Sequence, residues 1–368
     1  MKVLFITNIP SPYRVDFFNE LGKHCCLTVA FERMHAKDRD KRWKPEMFIN
    51  FKSVFLKGIE LGTDASFCLQ VISVIRQGYD IIVLGGYSSP TYGIAMEYMR
   101  AKGIHFILNA DGGFIKEDRK MVYWLKRHLI SRPSAWLSTG GMTDQYLEHY
   151  GADLNRTFRY PFSSVKEKEC YLPSIEEREN KKRLLEMEEQ IVIITVGQFI
   201  YRKGLDLLIR CSEKLCPDTG VYIIGGEADD SYYKLMEELN IKRVHFVGFK
   251  SREELRNYYI AADLFVFPTR EDIWGLVLNE AMSYGLPCVA SSRAISSNEL
   301  VDPGRNGYLI EPENVDEMAD KLNHLSASRK ERIRMGEAAF MKAQEYTIEK
   351  MAQRHMEIFK ELIETGKS

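Results

Sequence analysis

The sequence predicts an α/β fold with two doubly wound, Rossmann-like domains in tandem. At 368 residues, the chain is longer than one hydrophobic core usually supports. Short apolar runs alternate with amphipathic, helix-patterned segments, which is typical of parallel sheets covered on both faces. This alternation stops at a polar, charged segment, residues 163–190, and then begins again. The break predicts a linker with a solvated helix between the two domains.

The first domain is expected to span residues 1–165. Its strands are expected at Val3–Thr7, Leu27–Phe31, Ile81–Leu84, His105–Leu108 and Ala135–Ser138. Its helices are expected near 14–22, 65–77, 90–102, 119–131 and 142–150. Because these strands are joined by helical segments, we expect them to pair in parallel.

The second domain is expected to span residues 166–345. Its strands are expected at 191–196, 221–224, 244–247, 264–267, 287–290 and 307–310, and its helices at 204–215, 231–239, 252–260 and 276–284. Ligands of open parallel sheets bind beyond the carboxyl ends of the strands. Two such sheets facing each other therefore predict a binding site in a central cleft between the domains.

Composition and charge restrict the class of protein. The chain is 45% hydrophobic and 28% charged, and no apolar run is long enough to span a bilayer. Seven cysteines without a CxxC pair favour buried free thiols, and no signal pattern precedes the first strand, so a cytoplasmic protein is expected. Residues 1–165 carry 22 Lys and Arg against 16 Asp and Glu, and the remainder carries 29 against 36. This asymmetry favours an anionic partner, such as a lipid surface, for the first half.

Two cations precede a predicted helix in the second domain. In "GQFIYRKGLDLLI", Gly197 allows the backbone to turn after a strand, Arg202 and Lys203 follow, and Gly204 opens the helix. Bases are unfavourable at a helix N-terminus, because the helix dipole prefers anions there. The pattern is explained if an anion lies between the bases and the helix. The alternative is a solvated surface pair.

Two further loops of this domain contain glycine. Gly226 in "GGEADD" permits close approach of a ligand or simply a tight turn. Phe249 in "HFVGFK" ends a strand, where it either packs on a nucleobase or belongs to the core.

The stretch "FPTREDIWGLVLNEAM" combines charges with a strand-to-helix turn. Its Gly275, Leu276 and Val277 begin a helix whose free N–H groups form an anion site. Glu280, further along that helix, suits the hydroxyls of a ribose; the alternative is an exposed helix glutamate. Together with Arg202 and Lys203, these residues predict a nucleoside diphosphate as ligand.

Several motifs at 197–312 resemble a known enzyme family. "RKGLDLLI", "GGE", "HFVGF", "ADLFVFPTREDIWGLVLNEAMSYGLPCVAS" and "NGYLIEP" are similar to glycosyltransferase family 4, retaining nucleotide-sugar enzymes of the GT-B fold. "ITNIPSPYRVDFFNEL" resembles the first strand, loop and helix of polysaccharide-assembly members. "YTIEKMAQRHMEIFKELI", in the tail at 346–368, is similar to the helices that cross back to the first domain in this family.

The resemblance implies roles for individual residues. Arg202 and Lys203 match the base pair that grips the diphosphate, and Glu280 matches the acid expected at the ribose. Asp272, aligned through Trp274-Gly275, stands where the family usually has Glu. The resemblance implies that this acid, or the neighbouring Glu271, contacts the hydroxyls of the donor sugar. Many members have a His after the fourth strand of the first domain. Here "LNADGGF" places Asn109 and Asp111 there instead.

The resemblance also implies a reaction. A sugar, most simply from a UDP-sugar, is transferred with retention to a lipid-linked or growing glycan in bacterial surface-polysaccharide assembly. No metal, other cofactor or nucleic acid is expected. "DRD" at 38–40 matches a metal-binding DxD string, but no strand flanks it. Two alternatives remain: a GT-B nucleotide-sugar epimerase, and a degenerate, non-catalytic transferase subunit.

The first domain is expected to bind the acceptor. Ser11 and Tyr13 in "TNIPSPYR" and Tyr87 in "GGYSSPTYG" are candidate contacts, or parts of structural turns. Residues 119–136 combine Trp124 and other apolar residues with Arg and Lys. Such a helix lies on an anionic membrane surface, here the inner face of the cell membrane, or packs in the core with one solvated face. A basic loop at 33–44 adds positive charge.

Overall fold

The computed structural model describes residues 1–34, 47–62 and 65–366. The DRD string and nearly all of the basic loop at 33–44 lie outside these residues. The chain divides into two compact units. Unit 1 comprises Met1–Ser164 together with the residues from Thr347 onward, and unit 2 comprises Val165–Tyr346.

Unit 1 is built on a parallel sheet of seven strands in the order β3-β2-β1-β6-β7-β8-β9. The strands are β1 (Lys2–Thr7), β2 (Cys26–Phe31), β3 (Lys52–Phe55), β6 (Ile81–Leu84), β7 (Ile107–Ala110), β8 (Ala135–Ser138) and β9 (Thr157–Arg159). β4 (Ile59–Leu61) and β5 (Ala65–Phe67) form a separate antiparallel pair. The helices are α1 (Pro12–Leu21), α2 (Gln70–Ile75), α3 (Pro90–Ala101), α4 (Lys120–Ile130) and α5 (Gly141–His149). The central strands are continuous apolar runs because helices cover both faces of the sheet.

The C-terminal helix, α14 (Ile348–Glu364), completes the core of unit 1. It packs against α1, and its apolar stripe includes the fully buried Met351, Ile358 and Phe359. His355 lies in the same stripe, with its ring centroid 4.8 Å from that of Phe17. The predicted return of the tail helix to the first domain is therefore confirmed.

Unit 2 is built on a parallel sheet of six strands in the order β12-β11-β10-β13-β14-β15. The strands are β10 (Ile191–Val196), β11 (Thr219–Ile224), β12 (Val244–Val247), β13 (Leu264–Phe267), β14 (Cys288–Ser291) and β15 (Gly307–Ile310). The helices are α6 (Ile175–Leu184), α7 (Leu205–Ser212), α8 (Asp230–Glu238), α9 (Arg252–Ala261), α10 (Leu276–Met282), α11 (Ile295–Leu300), α12 (Val315–Ala327) and α13 (Arg329–Ala343).

Three local predictions were wrong. The helix expected at 65–77 begins only at Gln70, because Ala65–Phe67 pairs with Ile59–Leu61 as a hairpin. The strand expected at His105–Leu108 lies two residues later, where residues 107–110 pair in register with β8. The cysteines are not uniformly buried: Cys68, Cys211 and Cys288 are buried, whereas Cys26 and Cys216 are exposed.

Helix α4 is not a core helix. Of its eleven residues, all of them described, Ile130 alone is buried. Met121, Trp124 and Leu125 are 86%, 63% and 60% exposed. Across the described ranges, no helix is both long enough and apolar enough to cross a membrane.

Candidate active site

The loops that the sequence singled out in unit 2 lie at one edge of its sheet. They follow β10, β11, β12 and β13, which are neighbours in the sheet and run parallel. The carboxyl ends of parallel strands meet at the same edge, where ligands of open α/β sheets bind. The topology therefore brings these loops together.

A left-handed glycine shapes the loop after β10. Tyr201–Lys203 forms a single 3-10 turn, and Gly204, with φ of 64°, leads from it into α7. A Cβ atom at Gly204 would lie 2.2 Å from the carbonyl oxygen of Pro268. The two loops that follow β10 and β13 therefore touch at a position that only glycine fills.

Contacts of Arg270 connect the same two loops. Its guanidinium forms two 2.7 Å bonds to the Asp206 carboxylate of α7 and a 2.8 Å bond to Glu313. Its centre lies 4.0 Å from the ring centroid of Tyr201. Burial alone would raise the pKa of Asp206. The hydrogen bonds and charge of Arg270 outweigh burial and lower this pKa below its ordinary value. We assign Arg270 and Asp206 to loop geometry, because both are occupied with each other.

Arg202 and Lys203 converge on one carboxylate. Lys203 Nζ lies 2.5 Å from Asp272 Oδ2, and Arg202 Nη1 lies 3.1 Å from Asp272 Oδ1. The Lys203 and Asp272 side chains are 15% and 11% exposed, whereas Arg202 is 45% exposed. Two cations and one anion thus form a cluster with an excess of positive charge, and Arg202 is its accessible member.

Backbone contacts hold the members of this cluster. Arg202 Nη1 also donates to the carbonyl oxygen of Glu271 at 3.0 Å. The amide of Arg270 and the hydroxyl of Thr269 donate to the Arg202 carbonyl oxygen at 2.9 and 2.8 Å. The Asp272 amide donates to the Arg293 carbonyl oxygen at 3.1 Å. Because the backbone is fixed at both loops, the cations and the carboxylate are held in place before any ligand binds.

The strand-to-helix turn after β13 ends in the short helix α10. Gly275 caps it with φ of 88°, and a Cβ atom there would lie 2.3 Å from the Phe267 ring. Leu276 and Val277, its first residues, are half-buried, and Trp274 is 3% exposed. Trp274 thus belongs to the core, and its side chain offers no open surface to a ligand.

Glu280 is half-buried on α10. Tyr259 donates a hydrogen bond to Glu280 Oε2 at 3.1 Å. The Tyr259 hydroxyl is buried, and burial followed by the Glu280 charge raises its pKa well above the ordinary value. Tyr259 therefore stays a neutral donor that fixes the Glu280 carboxylate.

The remaining residues predicted in unit 2 lie at the ends of three neighbouring strands. Gly197 follows β10, and a Cβ atom there would lie 3.6 Å from the Lys203 stem. Gly226 follows β11 with φ of 141° and has open space on its Cβ side. Phe249 follows β12 and is half-buried. The edge next to the cation pair is thus lined by small residues and one aromatic ring.

In unit 1, the half-buried Asp111 pairs with the buried Arg14. Asp111 follows β7, and Arg14 lies in the first turn of α1. Arg14 Nη2 contacts both Asp111 oxygens, and the two side chains are 8% and 32% exposed. Asn109 Nδ2 donates to Asp111 Oδ1 at 2.9 Å. A cation in the first turn of a helix is unfavourable, so the carboxylate is what makes Arg14 tolerable there.

The other residues predicted in unit 1 lie on neighbouring loops. Ser11 is 5% exposed at the start of α1 and makes no side-chain cap. The half-buried Tyr13 ring lies 5.9 Å from that of Phe162. The hydroxyl of Tyr87 bonds to that of Tyr146 on α5. Since β1, β6 and β7 are adjacent, Asp111, Tyr13 and Tyr87 follow neighbouring strands.

Four residues of these clusters were not predicted from the sequence: Arg14, Tyr160, Asp206 and, in its role, Arg270. For Arg14 a signal existed, because a cation stands in the apolar helix start "PYRVDFF". For Tyr160 no local signal existed, since its partner Asp111 is 49 residues away in the chain. Arg270 is one of several charges in "FPTREDIWGLVLNEAM", and nothing local indicates its partner Asp206, which is 64 residues away.

Known proteins resemble parts of the chain in sequence. Residues 176–342 match the family model described as glycosyl transferases group 1. An uncharacterized glycosyltransferase of Haemophilus influenzae is 29% identical over 176 residues, which cover 46% of this chain and 49% of that protein. A D-inositol 3-phosphate glycosyltransferase of Corynebacterium aurimucosum is 30% identical over 225 residues, 57% of this chain and 52% of that protein. The chain thus matches about half the length of these curated relatives.

Solved structures resemble the chain over nearly its whole length. Anabaena HepE in complex with UDP has a TM-score of 0.81 and 18% identity, covering 98% of this chain and 100% of that one. Sucrose-phosphate synthase from Thermosynechococcus elongatus has a TM-score of 0.77 and 17% identity, covering 99% of this chain and 100% of that one. At these identities the likeness shows the fold, which is the predicted GT-B class.

Proposed function

We propose that this chain, whose residues 176–342 match the model of the glycosyl transferases group 1 family, transfers a sugar from a nucleoside-diphosphate sugar to a glycan. The observation that carries the proposal is the cluster of Arg202, Lys203 and Asp272 at the carboxyl edge of the unit 2 sheet. The donor is a UDP-sugar, and the acceptor is a lipid-linked or growing glycan of a bacterial surface polysaccharide.

The chemistry of the donor explains the cation pair. Transfer breaks the bond between the anomeric carbon and the diphosphate, and negative charge grows on the leaving phosphate oxygen. Arg202 and Lys203 would neutralise that charge, and because both are already fixed, they need no rearrangement when it forms. With two cations at the diphosphate, the proposed reaction uses no catalytic metal and no further cofactor.

The residues around the pair suit the rest of the donor. Asp272 and Glu271 would accept hydrogen bonds from the sugar hydroxyls, Glu280 would accept them from the ribose, and Phe249 would pack on the base. Two observations support uridine and retention of configuration. HepE, a neighbour in fold, was solved with UDP. Residues 197–312 resemble retaining enzymes.

The acceptor proposal rests on unit 1. Asp111 would contact the acceptor, and Ser11, Tyr13, Tyr87 and Asn109 lie on the same or neighbouring loops. The exposed apolar residues of α4, with the bases around them, would rest on an anionic membrane surface that carries a lipid-linked acceptor. A relative in Rhizobium meliloti, named as a lipopolysaccharide core biosynthesis glycosyltransferase and 28% identical over 148 residues, supports a role in surface polysaccharides.

Turnover of a panel of UDP-sugars tests the proposal. We expect Lys203→Ala to lower turnover by about 10²–10³, comparable to removal of a preorganised donor at a developing charge. Lys214→Ala is the matched control, since Lys214 pairs with Asp316 on an exposed surface of the same unit. Wild-type turnover in both Arg202→Ala and Lys203→Ala would contradict the assignment of the diphosphate.

The same panel separates the two alternative functions. An epimerase would convert the UDP-sugar without an acceptor and would release no transferred product. A non-catalytic subunit would show no turnover with any donor.

A further inference from the structure

The carboxylate of Asp111 is held by side chains from three elements of unit 1. Arg14 comes from α1, Asn109 from β7, and Tyr160 from the segment that follows β9. Asn109 Nδ2 and the Tyr160 hydroxyl lie 2.9 and 3.2 Å from Asp111 Oδ1. The hydroxyl of Thr139 donates to the Asp111 carbonyl oxygen at 3.1 Å, which fixes the backbone as well.

The hydrogen bonds fall unequally on the two carboxylate oxygens. Oδ1 accepts from Arg14, Asn109 and Tyr160, whereas Oδ2 accepts from Arg14 alone among the residues that the structure describes. A carboxylate has about four lone-pair sites, roughly two on each oxygen. Oδ1 is therefore saturated, and Oδ2 keeps an open acceptor position.

Exposure decides which member of the pair a ligand can reach. The Asp111 side chain is 32% exposed and that of Arg14 is 8% exposed. Burial opposes the charge of the guanidinium, but the neighbouring Asp111 carboxylate outweighs it and raises the pKa of Arg14. A ligand therefore meets a carboxylate oxygen while the cation behind it is already neutralised.

This arrangement selects a neutral hydrogen-bond donor. A hydroxyl group can donate to the open oxygen, and the hydrogen bond to a carboxylate is charge-assisted. A phosphate would instead meet a like charge. The chemistry thus fits a sugar hydroxyl and disfavours the anionic group of an acceptor.

The Tyr160 ring packs against a buried residue of the C-terminal helix. Its ring centroid is 4.6 Å from that of His355 on α14, and both residues are buried. Burial lowers the pKa of His355 to about 3, so the imidazole is neutral at physiological pH. Ring packing holds Tyr160 independently of its hydroxyl, so that Tyr160→Phe removes the hydrogen bonding of the hydroxyl, including the bond to Asp111, and keeps the ring contact with His355.

We propose that Asp111 Oδ2 accepts the hydrogen bond of an acceptor sugar hydroxyl, and that Arg14, Asn109 and Tyr160 are positioning residues for this carboxylate. The inference rests on the proposed function and names the acceptor contact of unit 1. Asp111 touches the substrate, and the three positioning residues act through it.

Binding of neutral glycosides to the full chain tests this inference. Saturation-transfer NMR is recorded with UDP present and with the octyl glycosides of glucose, galactose, mannose and N-acetylglucosamine as probes. We expect at least one glycoside to bind and Tyr160→Phe to weaken its affinity about tenfold, because a carboxylate that is no longer held in place loses much of its charge-assisted bond to the glycoside hydroxyl. UDP affinity should stay at its wild-type value, which a general disturbance of the fold would not allow.

Tyr222→Phe is the matched control. The Tyr222 hydroxyl donates to Glu189 Oε2 at 2.8 Å, so this variant loses a similar tyrosine–carboxylate bond in unit 2. The inference is overturned if Tyr160→Phe and Tyr222→Phe bind the glycoside equally. It is also overturned if inorganic phosphate competes with the glycoside, or if no glycoside binds. Failure of wild-type chain to bind UDP contradicts the proposed function instead.

Discussion

At the scale of single residues, burial decides what each charged group can do. Lys203 and Asp272 are mostly buried and paired, whereas Arg202 is 45% exposed. We infer that Arg202 meets an arriving diphosphate first and that Lys203 holds it at the deeper position. This order follows from exposure, because the less accessible cation loses less of its strength to solvent screening.

Glu32 is a second buried acid, at the end of β2. It is 3% exposed, and the Ser89 hydroxyl donates to its Oε1 at 2.5 Å. Burial raises its pKa to about 7, although the Ser89 bond and the charge of Arg33 act in the opposite direction. The folded chain therefore keeps a proton that the unfolded chain releases near pH 4.5.

The sign of the pH dependence follows from this pKa. The stabilising effect of the protonated Glu32 is complete below pH 4.5 and is lost as the pH rises to about 7. The loss is about 3 kcal/mol. We expect Glu32→Gln to remove this part of the pH dependence, measured as the difference in urea midpoint between pH 5 and pH 8. Glu253→Gln, at an exposed position of α9, is the control, and an unchanged difference in Glu32→Gln would contradict the prediction.

The candidate residues of unit 2 could be predicted from the sequence because they lie close together in the chain. Asp272 and Glu280 share one strand-to-helix segment, and Arg202 and Lys203 are adjacent. Arg14 and Tyr160 could not be predicted in this way, because each acquires its role from Asp111, which is distant in the chain. The roles of Asp272 and Glu280 stay predictions.

At the scale of elements, Gly204 sets the geometry of the cation-bearing loop. Replacement by alanine would strain a left-handed backbone and place a Cβ atom 2.2 Å from Pro268. Gly103 has nearly the same φ, 65° against 64°, but open space around it. The two sites therefore separate backbone strain from crowding.

We expect Gly204→Ala to weaken UDP binding at least tenfold, because the loops after β10 and β13 must move apart. Gly103→Ala should lose about 1 kcal/mol of stability, because alanine is strained in the left-handed backbone conformation, and should keep its UDP affinity. Calorimetric titration with UDP and thermal unfolding of both variants measure these effects. Equal UDP affinities in the two variants would contradict the crowding argument.

The regular elements of unit 2 were predictable because each apolar run is long, periodic and bounded by glycine or polar residues. The failures in unit 1 have a different cause. The segment 65–77 carries an apolar pattern that suits a helix, but pairing with Ile59–Leu61 overrides it at its start. Although this partner is only a few residues away, strand formation depends on cross-strand neighbours and leaves little trace in the intrinsic preference of the segment itself.

At the scale of the whole molecule, the fold uses its last helix to complete its first unit. The stripe of α14 buries Met351, His355, Ile358 and Phe359. This could be predicted only from the resemblance to a known family, since the periodicity of α14 shows that one face is buried but not against what.

The exposed face of α4 leads to a prediction about membranes. We expect the full chain to co-float with liposomes that contain anionic lipid and not with purely zwitterionic ones. Replacing Trp124 and Leu125 by serine should lower the bound fraction about tenfold, since both are exposed and apolar. Leu184→Ser is the control, because Leu184 is 73% exposed on unit 2.

The charges of α4 give a second comparison in the same assay. Lys126 pairs with Asp118 at 2.9 Å, so its charge is already balanced. Arg127 is exposed. Arg127→Gln should therefore reduce flotation more than Lys126→Gln does. The expected loss of membrane-binding free energy in Arg127→Gln is up to about 1 kcal/mol. Absence of flotation in the wild type would remove the membrane proposal.

A crystal structure of the chain with UDP bound would show where the diphosphate lies relative to the cation pair. We expect a diphosphate oxygen within hydrogen-bonding distance of both the Arg202 guanidinium and Lys203 Nζ, at the carboxyl edge of the unit 2 sheet. A diphosphate bound elsewhere, or a nucleotide whose phosphates point away from these two cations, would contradict it.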